Sequence, residues 1–220
     1  MAVDDQEEYE QGEQLRKWLR ANGASMIGGI AIGLALIYGW KLWQQNQDRH
    51  AQAVAQTYGT FASALDDGAN AKTIATDLQQ VRSDGAKTTY AVLAALRMAA
   101  HQVDGNDAKA ALATLDGIGK VADPALGELV QLRAARVLLI LNRPGDALKR
   151  VDSVTDPAYA AVSDEVRGDA QRALGHLDQA RDAYARALAN LPEDAPGRGL
   201  LAMKLTEVGG VVPKPEDKKA

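Results

Sequence analysis

The sequence has no cysteine, one phenylalanine and three histidines. Without cysteine, disulfides, thiolate nucleophiles and Cys-held zinc or iron–sulfur centres are excluded. His50, His101 and His176 are scattered and show neither H-x-x-x-H nor H-x-x-E-H spacing, so no metal site is expected. His176, in Leu-Gly-His-Leu, reads as a solvated turn residue. The Ser, Asp and Glu residues form no nucleophile elbow or hydrolase motif, and nothing supports an enzyme or a bound cofactor. Gly28, Gly29 and Gly33 carry no phosphate-loop signature. Positive charge is not concentrated: net charge is −4 and both signs are mixed, so there is no basic stripe for nucleic acid. Aromatics are only 5%. Abundant Ala, Leu, Gln, Asp and Arg favour helix over sheet.

One stretch lacks charge altogether. Between Arg20 and Lys41 lie 20 uncharged positions, 21–40. At about 1.5 Å per residue these span about 30 Å, the hydrocarbon thickness of a bilayer. Gly and Ala dilute the segment, while Ile27, Ile30, Ile32, Leu34, Leu36 and Ile37 supply apolar bulk. Tyr38, Trp40 and Trp43 mark one end and Trp18 the other, as interfacial rings do. A cleaved signal peptide fits poorly, because the preceding region is long and acidic and no small-residue exit follows. Arg16, Lys17 and Arg20 precede the segment, and only Lys41 and Arg49 follow closely. The positive-inside rule then sets the N-terminus in the cytoplasm and translocates the C-terminal domain.

Residues 1–14 are acidic and are expected to be disordered or a frayed helix. Beyond Trp43 a helix continues: Val54, Tyr58, Phe61 and Leu65 form one stripe, and Asp66-Asp67-Gly68 ends it. A second helix is expected over about 70–82. From there the chain repeats a helix–turn–helix plan: Tyr90–Val103 with Asp107–Ile118, Ala125–Leu141 with Asp146–Val154, Ala158–Leu174 with Leu177–Leu191. Ala111, Ala147 and Ala180 mark the second helices at separations of 36 and 33 residues. That is close to the 34-residue tetratricopeptide period. Gly168, Ala180, Tyr184, Ala187 and Pro192 follow its small–small–aromatic–small–proline skeleton. Ala135, Ala147 and Val151, then Ala99, Ala111 and Leu115, hold the first three places in the other units. The 44–82 helix pair is a candidate divergent unit, and Gly199–Val208 a candidate cap.

The expected fold is therefore all-α, a single N-terminal transmembrane helix followed by a tetratricopeptide-like helical-repeat solenoid. The expected divisions are a cytoplasmic tail (1–20), the membrane helix (21–43), a repeat domain (44–208) and a disordered tail (209–220). In such solenoids the first helices line the concave groove. Leu129, Leu132, Arg133, Arg136 and Leu139 would face it in the second unit, and Glu165, Asp169 and Arg172 in the third. A mixed groove of this kind suits extended peptide; equally, the arginines could form ordinary i,i+3 and i,i+4 pairs on a solvated face. Gly29 and Gly33 form a G-x-x-x-G pair that Gly39 extends, either a helix-packing ridge in lipid or ordinary membrane-helix glycine.

The ordered combination has a further resemblance. Lys17-Trp18-Leu19-Arg20-Ala21-Asn22-Gly23, the Gly-rich segment ending in Gly-Trp-Lys-Leu-Trp, LRAARVLL and RGDAQRALGHLDQARDAYARAL together resemble the YfgM family, over nearly the full length. The resemblance implies a non-enzymatic, single-pass inner-membrane protein with a periplasmic repeat domain. It implies association with the SecYEG translocon and the periplasmic chaperone PpiD, and contact with translocated client polypeptides. The other reading is a membrane-anchored scaffold for another envelope complex, such as cytochrome maturation or cell division.

Overall fold

The computed structural model describes residues 4–86 and 88–212, without the side chains at 4–15, 19, 23, 24 and 27. The regular structure in this part is helical: α1 (Asp4–Asp66), α2 (Ala71–Asp84), α3 (Thr89–Asp104), α4 (Ala108–Asp116), α5 (Pro124–Ile140), α6 (Pro144–Val151), α7 (Ala160–Ala173), α8 (Leu177–Ala189) and α9 (Arg198–Glu207). A 3₁₀ turn at Pro157–Tyr159 leads into α7. The chain divides into two compact units, Met1–Ala53 and Val54–Ala220.

In the first unit the chain is helical from Asp4 onward. Ile30, Ile32, Leu34, Leu36, Ile37 and Trp40 are all more than half exposed. Trp40 and Trp43 pack ring against ring at 5.2 Å. Among the described residues no helix is long and apolar enough to cross a membrane. Ala24 and Ile27, which belong to the expected span, lie outside the described side chains.

In the second unit the repeat is built from recurring local chemistry. Asn70, Asp107 and Asp123 cap α2, α4 and α5 by accepting the N–H of Thr73, Ala110 and Leu126 at 3.0, 3.0 and 3.2 Å. Pro124 and Pro144 stand at the first helical positions of α5 and α6, where a missing N–H costs nothing. Pro144 therefore opens α6 rather than belonging to the turn before it. Each first helix of a pair then closes with a residue in the left-handed region: Gly68, Asn106, Asn142, Gly175 and Gly209, with φ from 57° to 80°. After each, the next N–H bonds a carbonyl five residues back. These bonds run Ala69 to Ala64, Asp107 to Gln102, Arg143 to Leu138, His176 to Gln171 and Gly210 to Leu205, all at 2.7–3.0 Å. This is the Schellman closure. It identifies α9 as the first helix of a further unit.

Packing follows the same register. Ala99, Ala111 and Leu115 are buried, as are Ala135, Ala147 and Val151, and Gly168, Ala180 and Tyr184. Ala62, Ile74 and Leu78 repeat the spacing in the α1–α2 pair. The cores are shared between pairs. Phe61, Leu65, Ile74, Leu78 and Val81 meet Ala94 of α3. Ala99, Ala111 and Leu115 meet Ala134 and Val137 of α5. Ala135, Ala147 and Val151 meet Val166 and Ala170 of α7. Tyr184 and Leu188 meet Leu201, Leu205 and Val208 around α9. No pair buries its apolar face alone, so the stack is stabilised by its neighbours.

Candidate functional site

The first helices α5, α7 and α9 carry a polar network. Arg136 Nη2 donates to Glu165 Oε2 at 3.3 Å. Lys204 Nζ donates to Glu165 Oε1 at 2.8 Å and to Asp169 Oδ2 at 2.9 Å. The Tyr184 hydroxyl donates to Asp169 Oδ1 at 2.8 Å. Arg172 Nη1 donates to Glu207 Oε1 at 2.8 Å, a second link between α7 and α9. The Lys204 side chain is 19% exposed. Burial pulls its ammonium down, but hydrogen bonds to Glu165 and Asp169 outweigh that and hold its pKa above the ordinary lysine value. Burial, then the bond to Asp169, raises the Tyr184 hydroxyl.

Four of the five charged residues expected in the groove, Arg136, Glu165, Asp169 and Arg172, thus sit in cross-helix links. The pairs span 29 to 39 residues and are not the local i,i+3 and i,i+4 pairs of a solvated helix face. Arg133 stands apart: it is exposed, and no ion pair to it occurs among the described residues. Leu132 does not face the groove. It is core, 2% exposed, because α5 lies between α3–α4 and α6–α7 and is covered on more than one side. Lys204 escaped the sequence reading: it lies in the helix expected only as a cap, and the helix-closing Gly209 is what marks α9 as the first helix of a unit.

Two other clusters hold the stack. Asp164, 8% exposed, accepts from Arg167 Nη1 at 2.7 Å and from Arg186 Nη2 at 3.1 Å. Glu128 of α5 accepts the Thr155 hydroxyl at 2.9 Å and the Asp156 N–H at 2.8 Å. The Asp156 N–H bond is the main cause that holds the Glu128 carboxyl below its ordinary pKa.

His50 and His101 are exposed. His176, also exposed, lies with Nδ1 2.9 Å from Gln171 Oε1, at the head of α8. Among the described residues no group of three or more His, Asp and Glu could hold a metal ion. Gly29, Gly33 and Gly39 lie on α1, where an added Cβ would meet nothing within 4 Å.

Residues 16–210 match the tetratricopeptide repeat-like domain family. Among curated proteins, the ancillary SecYEG translocon subunit of Escherichia coli K12 is 29% identical over 80% of this chain and 85% of its own length. The protein of the same name from Haemophilus influenzae is 30% identical over 82% and 88%. That from Neisseria gonorrhoeae is 22% identical over 90% and 96%. Among solved structures, the MamA RS-1 ArsTM double mutant superposes with a TM-score of 0.52 at 16% identity. The match covers 71% of this chain and 94% of that one, and shows a shared fold alone. The domain match and the near-full-length relatives agree with the repeat register of the helices, and the chain belongs to the YfgM family.

Proposed function

We propose that this chain is an ancillary subunit of a SecYEG translocon and that it works by protein–protein contact rather than catalysis. One observation carries the reading: relatives bearing that name align with at least four-fifths of the chain. The domain match, residues 16–210, includes the uncharged segment as well as the repeats.

On this reading residues 21–43 cross the inner membrane once, with 1–20 cytoplasmic, 44–208 in the periplasm and 209–220 a tail. The support is the run without charge between Arg20 and Lys41 and the exposed apolar side chains along it, which lipid would cover. Gly29, Gly33 and Gly39 would form the ridge that docks on membrane partners. The first-helix face would meet a periplasmic chaperone such as PpiD and translocated clients. Arg133 is exposed there, and Leu200 and Met203 of α9 are 57% and 70% exposed.

The test is copurification of the tagged full chain from gently solubilised membranes. SecYEG is expected in the eluate. If the E. coli relative retrieves SecYEG under the same conditions and this chain does not, the reading is overturned. Protease added to spheroplasts should digest residues beyond Trp43; digestion of the tail instead would reverse the topology.

A further inference from the structure

The repeat domain contains a cleft of about 620 Å³. It lies where the end of α2, the start of α3, the α4–α5 turn and the start of α5 converge. Val92, Ile118, Val121 and Leu126 give it an apolar wall, and Arg82 and Lys120 line it with positive charge. Arg82 spends one donor on the Thr114 carbonyl at 3.3 Å. Neither cation has an ion-pair partner among the described residues. The carboxylate in the lining, Asp123, is already committed to the Leu126 N–H as the cap of α5. Hydroxyls of Ser83 and Thr89 stand along the same walls.

The repeat explains why this place is open. Counted back from the matching turns at Asn142 and Asn106, Glu128 and Val92 occupy the same position, each 14 residues ahead. In the α5–α6 unit Glu128 holds the following turn through Thr155 and Asp156. In the α3–α4 unit the residue is Val92, so this position supplies no carboxylate to the α4–α5 turn. The α3–α4 unit is left with the two cations, the apolar wall and a single lining carboxylate, Asp123, which caps α5.

We propose that this cleft binds a short polypeptide segment in which an apolar side chain adjoins a carboxylate. The carboxylate takes the place that Glu128 fills one unit on, between Arg82 and Lys120. The apolar side chain covers Val92, Val121 and Leu126, and the Thr89 hydroxyl offers a hydrogen-bond partner to a peptide group. Charge complementarity selects an acidic partner, and the mixed wall selects a peptide over a simple anion. This site is separate from the network of Arg136, Glu165 and Lys204 and does not depend on translocon association.

The test uses the full chain and a fluorescein-labelled decapeptide, Ser-Gly-Ser-Gly-Leu-Ile-Asp-Glu-Ser-Gly, followed by anisotropy. Saturable binding is expected. Replacing its acids by Asn and Gln, or its Leu-Ile by Ser-Ser, should weaken binding about tenfold each, the worth of one charge-assisted contact or one buried apolar side chain. Lys120→Glu should weaken it by about the same factor with circular dichroism unchanged. Val92→Glu should abolish it by supplying the carboxylate from within. Because Val92 is buried, Thr89→Glu on the exposed rim provides a second variant that need not disturb the core. Absence of saturation overturns the proposal, as does equal affinity for the amide peptide. So does indifference to both Lys120→Glu and Thr89→Glu. Loss of binding through Arg133→Glu instead would assign the peptide to the first-helix face and overturn it too. Self-association of the chain that Lys120→Glu abolishes would make a second copy the occupant, which likewise overturns the proposal.

Discussion

Gly168 and Tyr184 are complementary to one another. A Cβ at 168 would overlap the Tyr184 ring at Cδ1 and Cε1. Tyr184 cannot simply retreat, because its ring is fully buried against α9 and its hydroxyl is held by Asp169. Gly168→Ala should therefore cost about 1–3 kcal/mol, the usual cost of overpacking, measured by chemical denaturation of the full chain. Tyr184→Leu should make that second change cheaper, a coupling that a double-mutant cycle detects. The small–small–aromatic spacing was readable from residues alone; the Asp169 bond was not, since it needs the turn that brings α8 back over α7. The same region sets an alkaline limit. Tyr184 and Lys204 both have raised pKa values in the fold. A raised group stabilises fully below its unfolded value and loses that contribution as pH climbs toward its folded one. Stability should fall above about pH 10, and the double variant Tyr184→Phe, Lys204→Met should show a flatter decline there. Glu128 works in the opposite sense. Its lowered pKa stabilises above the ordinary carboxylate value of 4.5 and is lost as pH falls through the folded value. Glu128→Gln should flatten the acid arm of a melting curve recorded against pH.

At the scale of elements, the left-handed closures are the recurring part. Asn106 and Asn142 adopt φ of 60° and 57° without being glycine, and asparagine tolerates this region better than other side chains. Asn142→Ala should destabilise by about 1 kcal/mol, while Asn142→Gly should be neutral or mildly stabilising, as thermal melts would show. These turns fall in the gaps between the paired helices expected from the repeat, and the helices beside them were legible to within a few residues. The boundary at Pro144 shifted because proline starts a helix as readily as it interrupts one. Leu132 was misplaced for a different reason. A helix between two neighbours buries several faces, so periodicity along one stripe no longer separates groove from core. The cross-helix links were the least legible. Arg136 with Glu165, and Lys204 with both acids, depend on the angle between successive units, which no local pattern encodes.

At the scale of the whole molecule, two kinds of surface call for two kinds of partner. Residues before Ala53 present exposed large apolar side chains with glycines open to close approach. The repeat domain presents a charged face whose acids are mostly committed internally. The proposal is that the first kind docks on membrane partners and the second on periplasmic polypeptide. Gly29→Leu with Gly33→Leu should weaken copurification with SecYEG, because bulk on the ridge keeps a partner helix at a distance. The repeat domain should melt unchanged, since an added Cβ at either glycine meets nothing within 4 Å. For the second surface the informative residue is Arg133 rather than Arg136. Arg136→Glu would set two carboxylates against each other at Glu165, and lost binding could then reflect a damaged stack. Among the described residues Arg133 has no such partner, so Arg133→Glu reverses a charge and leaves the packing alone. Site-specific photo-crosslinks from position 133 to periplasmic proteins should drop several-fold while SecYEG recovery holds. Full retention of both sets of partners by both variants would refute the division. So would loss of both sets by either variant with its melting temperature unchanged, because a folded domain and an intact ridge could not then be contributing separately.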